Sequence, residues 1–281
     1  MSVAYRISHI PGLFSEGVDS GAEPTPLRLR AHRERLLGET LRARFARLAR
    51  VGLAMASPRR LLNLLVYLEL MARDRAVGAA ALPDPAAALP RPDGFCGAAA
   101  DISPATLVQA YSQGLHARAP FGAASWWSPS VRRLRDLSAP CEDAPGLDAL
   151  FDSQSDAVIA ACARDALRRD PLGAMTPDLK RAHARLLDRG FAHAWRIDGA
   201  QGYGLVIGGF FIVLGLAGER EAARRAVLAL ERELRRRNFS TLDLTFVADA
   251  LDPGAGVETP RDVYLDMLAQ SPNADCAVRW R

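Results

Sequence analysis

Lysine is almost missing from this chain. Lys180 is the only one among 36 basic residues, and all the others are arginine. With so much alanine beside it, this is the mark of a GC-rich coding bias. Arginine content alone therefore does not single out a nucleic-acid binder. Cysteine is scarce as well. Cys96, Cys141, Cys162 and Cys276 make no C-x-x-C pair and no metal-ligand spacing with histidine, so reduced, scattered thiols are expected and no metal. The most apolar run, "LLNLLVYLELMA" at 61–72, is too short for a bilayer and contains Asn63 and Glu69. The N-terminus lacks the basic start and long apolar run of a secretory signal. A cytoplasmic protein without membrane contact is expected. There is no phosphate-loop motif, no G-x-S-x-G elbow and no H-E-x-x-H. The five histidines are isolated from one another.

What is present is an ordinary globular composition, 49% hydrophobic and 24% charged, over 281 residues. That is enough for one large or two modest domains with a substantial core. The net charge of +4 permits an acidic partner without requiring one. From Pro26 to Val51, Leu36, Leu37, Leu41, Phe45 and Leu48 recur at helical spacing with arginine on the other face. Ser57-Pro58 opens a second helix over 58–75. The Ala/Pro-rich stretch 78–93 reads as a linker. Three regions follow: an Arg-rich helical extension (1–90), a small N-terminal subdomain (91–150) and a sheet domain (151–281).

Beyond the linker, Ser103-Pro104 caps a helix ending at Gly114, and "SWWSP" reads as a short strand. Helices are expected over 153–169, from Pro177 to Arg189, over 219–237 and from Thr259-Pro260 onward. Strands are expected at "AHAWRID", on either side of Gly208-Gly209, and over 240–247. This pattern predicts an α/β (α+β) fold with a mixed sheet. Gly215 and Gly218 stand between a strand and a long helix, where free backbone amides could hold a phosphate.

One series of motifs is more specific. "DGFCGAAADISPATLVQAYSQGL" followed by "WWSP" resembles the leucyl/phenylalanyl-tRNA–protein transferase family, with its N-G-L-L-x-x-G-D-L-S-P-x-x-L-x-x-A-Y-x-x-G-I and W-W-S-P-D-P-R segments. The matches include Gly94, Asp101, Ser103, Pro104, Leu107, Ala110, Tyr111, Gly114, Trp126, Trp127, Ser128, Pro129 and Arg132. "MTPDLKRAHARLLDRGFAHAW", "FSTLDLTFV" and "GVETPRDVYLDML" continue the resemblance in order, so that it covers about 92–268.

The resemblance implies a GNAT-like mixed sheet flanked by helices, behind a smaller N-terminal subdomain. It implies transfer of Leu, Phe or Met from aminoacyl-tRNA to an amine acceptor such as a protein N-terminus, by a monomer without cofactor. The reaction is amine attack on an ester, which needs an apolar pocket, a group to orient the amine and donors for the oxyanion. On that basis Asp243 is expected to orient the amine. Trp126, Trp127, Phe211 and Thr245 are expected to bind substrate, with Gly215 and Gly218 holding the acyl carbonyl or a phosphate. The departures are as specific as the matches. The family's glutamate falls at Val213 or Leu214, two of its tryptophans become Arg118 and Ala174, and a glutamine becomes Thr245. Its basic helix after W-W-S-P is replaced by the acidic "SAPCEDAPGLDAL". Two other readings stay open: a scaffold that binds or regulates without transfer, and an acyl-CoA-dependent N-acyltransferase.

Overall fold

The computed structural model describes residues 26–55, 58–77, 81–138, 148–252, 254–271 and 280. The helical stretch expected from Pro26 to Val51 is two helices, α1 (Pro26–Leu37) and α2 (Leu41–Met55). The break is chemical. A Cβ on Gly38 would lie 2.3 Å from the Glu34 carbonyl oxygen, and Thr40 Oγ1 accepts from the Ala43 amide at 3.2 Å, opening the next helix. A third helix, α3 (Pro58–Val77), follows.

After the linker come strand β1 (Phe95–Ala98), helix α4 (Pro104–Ser112), and strands β2 (His116–Arg118) and β3 (Ser125–Trp127). The strands make a small antiparallel sheet in the order β1-β3-β2. The start of α4 is as the sequence predicts: Ser103 Oγ accepts from the Thr106 amide and Pro104 takes the first turn.

The large sheet has seven strands. β10 (Val257–Pro260), β4 (Val131–Asp136), β9 (Thr241–Asp243), β8 (Phe210–Gly218), β7 (Ala200–Ile207), β6 (Ala192–Ile197) and β5 (Leu150–Phe151) lie in that order. Only β8–β9 is parallel. The fold class is thus α+β with a mixed sheet, as expected. Strand β4 follows directly on the small sheet in sequence, yet sits inside the large one, so the two sheets are stitched by continuous chain. Helices α5 (Ser155–Arg169) and α6 (Pro177–Asp188) cover one face of the large sheet, packing with Tyr203, Leu205 and Ile212. Helix α7 (Arg220–Arg236) covers the other, where Ala223, Val227, Leu230 and Leu234 meet Trp195, Phe211 and Val213. That spacing of three and four is one helical stripe, which leaves the arginines of α7 on the outer face. Helix α8 (Arg261–Gln270) closes the fold by burying Tyr264.

The N-terminal helices are attached to this body through specific contacts. Arg33 on α1 pairs with Asp156 at 2.8 Å and Asp188 at 2.7 Å. Arg47 on α2 is buried, donates to the Pro120 carbonyl at 3.0 Å and pairs with Glu39 at 2.9 Å. Asp74 on α3 accepts from the Ala98 amide at 2.9 Å. Tyr67 packs on Phe95 and Trp127 with ring centroids 5.2 and 6.1 Å apart. Among the described residues no helix is long and apolar enough to cross a membrane.

Two glycines in β7 make the tight packing of large rings possible. A Cβ on Gly202 would meet the Trp195 ring at 2.5 Å, and one on Gly204 would meet the Phe211 ring at 2.3 Å and the Ile212 carbonyl at 2.6 Å. Gly204→Ala is expected to destabilise the protein by about 1–3 kcal/mol, the usual cost of overpacking. A urea denaturation midpoint that does not fall would show that β7 and Phe211 can move apart cheaply.

Candidate active site

The strand β8 is irregular where it matters. Gly204 pairs with Val213 and Tyr203 with Gly215, so Leu214 is an extra residue, a β-bulge. The bulge sends the neighbouring residues Val213 and Leu214 to different faces of the sheet. Val213 is fully buried on the α7 face, whereas Leu214 borders a cleft on the opposite face. Gly215 beside it is required by crowding, since a Cβ there would lie 2.5 Å from the Tyr203 ring and 2.8 Å from Cys162 Cβ.

The cleft has a volume of about 900 Å³ including its open mouth. Its walls are the bulge, Arg118 from β2, the C-terminal turn of α5 and the segment 170–175, the start of α6, and the loop 245–250 after β9. The floor is apolar or neutral: Cys162, Ala174, Met175, Leu179 and His183. His183 Nδ1 lies 3.0 Å from the Tyr203 hydroxyl, which in turn contacts Met175 Sδ at 3.5 Å. Burial lowers the His183 pKa to about 4, so the ring is neutral at pH 7. Burial likewise holds the Cys162 thiol and the Tyr203 phenol protonated. His116 packs at a tilt against Phe246 with ring centroids 4.0 Å apart, and burial together with the Arg118 and Arg132 cations keeps it uncharged.

Charge is confined to the walls, on Arg118, Arg169, Asp170 and Asp249. Arg169 is tied to Asp165 at 2.7 Å and donates to the Leu216 carbonyl. Asp170 accepts from the Leu172 amide at 3.0 Å, fixing the turn Pro171–Gly173. Arg118 lies over the Trp127 ring at 5.7 Å. Burial pulls its pKa below the ordinary arginine value, opposed by Asp170 and Asp249.

The residues expected from the sequence fall into two groups. Thr245 and Gly215 line the cleft. Asp243, Trp126, Trp127, Phe211 and Gly218 do not. Asp243 is fully buried: its carboxylate pairs with Arg132 at 3.5 Å and accepts from the Thr245 amide at 2.9 Å and hydroxyl at 2.5 Å. Both bonds from Thr245 end on Oδ1, and it is Thr245, held by them, that lines the cleft. Trp126 is core, and Trp127 packs against Tyr67 and Phe95 with its indole N–H donated to Ser125 Oγ at 2.8 Å. Phe211 points to the α7 face. Gly215 and Gly218 both belong to β8, which runs to within one residue of α7, so the expected glycine loop is strand. Gly218 serves close approach instead, since its Cβ would meet the Gly199 carbonyl at 2.6 Å. The acidic stretch at 139–147, with Cys141, lies outside the described residues, as does Cys276. Sequence reasoning missed Arg169, Asp170, Asp249, His183 and Met175. Arg118 was visible only as a departure.

Two measurements check this arrangement. Arg132 also donates to the Gly114 carbonyl at 2.6 Å and lies 4.4 Å over the Tyr264 ring. Asp243→Asn strands that buried cation and is expected to cost about 3–5 kcal/mol, while Arg132→Met with Asp243→Leu restores most of the loss. Chemical denaturation of the three proteins reads this directly, and a double variant as unstable as the single one contradicts it. For His183, the folded pKa lies below the unfolded value of about 6.5. Its contribution is full above that value and is lost as pH falls toward about 4, by up to roughly 1.4 kcal/mol per pH unit. The variant His183→Gln should flatten the stability profile across that window.

The family model for leucyl/phenylalanyl-tRNA protein transferase matches residues 140–269. A leucyl/phenylalanyl-tRNA–protein transferase of Desulfatibacillum aliphaticivorans is 31% identical over 210 residues, 67% of this chain and 87% of that protein. The protein of that name from Alcanivorax borkumensis is 32% identical over 181 residues, 57% of this chain and 73% of its own length. The one from Salmonella typhimurium is 29% identical, covering 71% and 91%. A relationship of that identity, spread over 73–91% of the length of these relatives, places this chain in the leucyl/phenylalanyl-tRNA–protein transferase family.

Proposed function

We propose that this chain transfers an amino acid from aminoacyl-tRNA to the amino terminus of an acceptor protein, and that the cleft beneath the Leu214 bulge is where it does so. The observation that carries this reading is the division of the cleft into an apolar, electrically neutral floor and a charged rim. The floor of Cys162, Met175 and Leu179 suits a Leu-, Phe- or Met-like side chain, because no charge is stranded there. The rim carries the charge that an RNA end and an N-terminal ammonium require.

The reaction asks for no nucleophile from the protein. The acceptor's amine nitrogen forms a bond to the ester carbonyl carbon. The bond from that carbon to the ribose oxygen breaks, the amine gives up its proton, and the tRNA leaves with a hydroxyl. Holding both substrates in register is the main work. The bulge releases the backbone of Leu214 from the sheet ladder, which makes polar backbone groups available at the point where the carbonyl becomes an oxyanion. Asp170 and Asp249 favour the approach of the cationic amine from the rim. Asp243 is a positioning residue, acting through Thr245. The competing reading, a scaffold that binds without transfer, is favoured by one feature: Leu214 offers a side chain with no acid at the centre of the cleft.

The test uses the full chain, tRNA charged with radiolabelled Leu, Phe or Met, and peptides with varied N-termini. Labelled peptide is expected, with Arg169→Ala lowering kcat/KM about tenfold or more through loss of wall geometry. No labelled peptide, while a relative works in parallel, leaves the binding scaffold as the answer.

A further inference from the structure

Arg118 is the one cation of the cleft without a hydrogen-bonded or ion-paired protein acceptor among the described residues. The other wall arginine, Arg169, is taken up by Asp165 and the Leu216 carbonyl. Asp170 and Asp249 also line the cleft, but neither comes within ion-pair distance of Arg118. Asp170 is occupied by the Leu172 amide, and Asp249 is exposed. Arg118 nevertheless has a defined position. It extends from β2, its guanidinium lies over the Trp127 ring at 5.7 Å, and that ring is fixed by Ser125 and Tyr67. The backbone that follows is pinned by Arg47 through the Pro120 carbonyl. A guanidinium backed by an aromatic ring keeps its in-plane N–H fork for a ligand. It is half-buried and pays a desolvation cost that Asp170 and Asp249 oppose only from beyond ion-pair distance.

We infer that Arg118 is the anchor of an oxyanion subsite in the wall of the cleft, which holds a phosphate or carboxylate of the substrate by bidentate hydrogen bonds. The inference rests on the cleft's reading as the donor site. There the nearest anion to the reacting ester is the phosphate of the terminal adenosine of the tRNA. The second source of the same chemistry is an acidic side chain on the acceptor.

Calorimetric titration of the full chain with adenosine 5′-monophosphate and with adenosine compares ligands that differ by the phosphate. N-acetylglutamate and N-acetylglutamine make the same comparison for a carboxylate. In the unmodified protein one anionic member is expected to bind at least tenfold more tightly than its neutral partner, and which pair shows it identifies the source. Arg118→Gln should abolish the difference. Arg118→Lys, which keeps the charge but not the fork, should retain only part of it. A thermal melt of each variant establishes that it is folded, and the lysine variant carries the test if the glutamine variant is not. The inference is overturned if neither pair is discriminated, or if discrimination survives Arg118→Gln. Its failure is separable from that of the proposed function. Label transfer without anion discrimination removes only the subsite, whereas anion discrimination without label transfer removes only the transferase reading.

Discussion

The pair of Arg132 and Asp243 is the contact on which the rest of the molecule depends. Both charges are withdrawn from water, so each is costly alone and tolerable only with its partners. Those partners come from four places: β4, β9, the end of α4 through the Gly114 carbonyl, and the Tyr264 ring on α8. The turn between α4 and β2, the large sheet and the closing helix therefore meet at one buried charge. Arg132 also lies 5.3 Å over Phe246, and Asp243 holds Thr245, so the same pair sets the position of one cleft wall.

The opposite wall is set by a different device. A single additional residue in β8 turns Leu214 toward the cleft while Val213 stays in the α7 core. With the bulge in place, the sheet presents an interrupted ladder to the cleft and an intact apolar surface to α7. Everything beneath the bulge that could ionise is kept neutral by burial. The field inside the cleft is then determined by the few charges at its rim.

Much of the fold was legible in the sequence because its signals are local. Ser103-Pro104 and Thr176-Pro177 announce helix starts, and the apolar stripe of α7 announces a single buried face. The break at Gly38 was less visible, since Leu36, Leu37 and Leu41 keep a helical rhythm across it. The edge strands β5 and β10 were not visible. They are two and four residues long and mostly exposed, so they carry no alternation to read. The expected strand over 240–247 ends at Asp243, because Thr245 turns back to bond the Asp243 carboxylate. The site was harder to read than the fold. Motif matching found Asp243 and the tryptophan pair, but whether a residue faces a cavity or a core is decided by the bulge and by packing across the sheet. Neither leaves a mark in a spacing. Thr245 and Gly215 were found because they neighbour the matched strands. Arg169 and Asp170 were missed because one ends a helix and the other starts a turn, and both look like ordinary solvated charge.

The contact between Tyr67 and Trp127 has a consequence for any shortened form of the chain. Phe95 and Trp127 form a small apolar cluster whose lid is α3. A chain without that helix would carry a bare aromatic surface beside its cleft, prone to self-association. The N-terminal helices are thus not an appendage that can be gained or shed freely. A shortened chain that lacks α3 would inherit the surface without its cover.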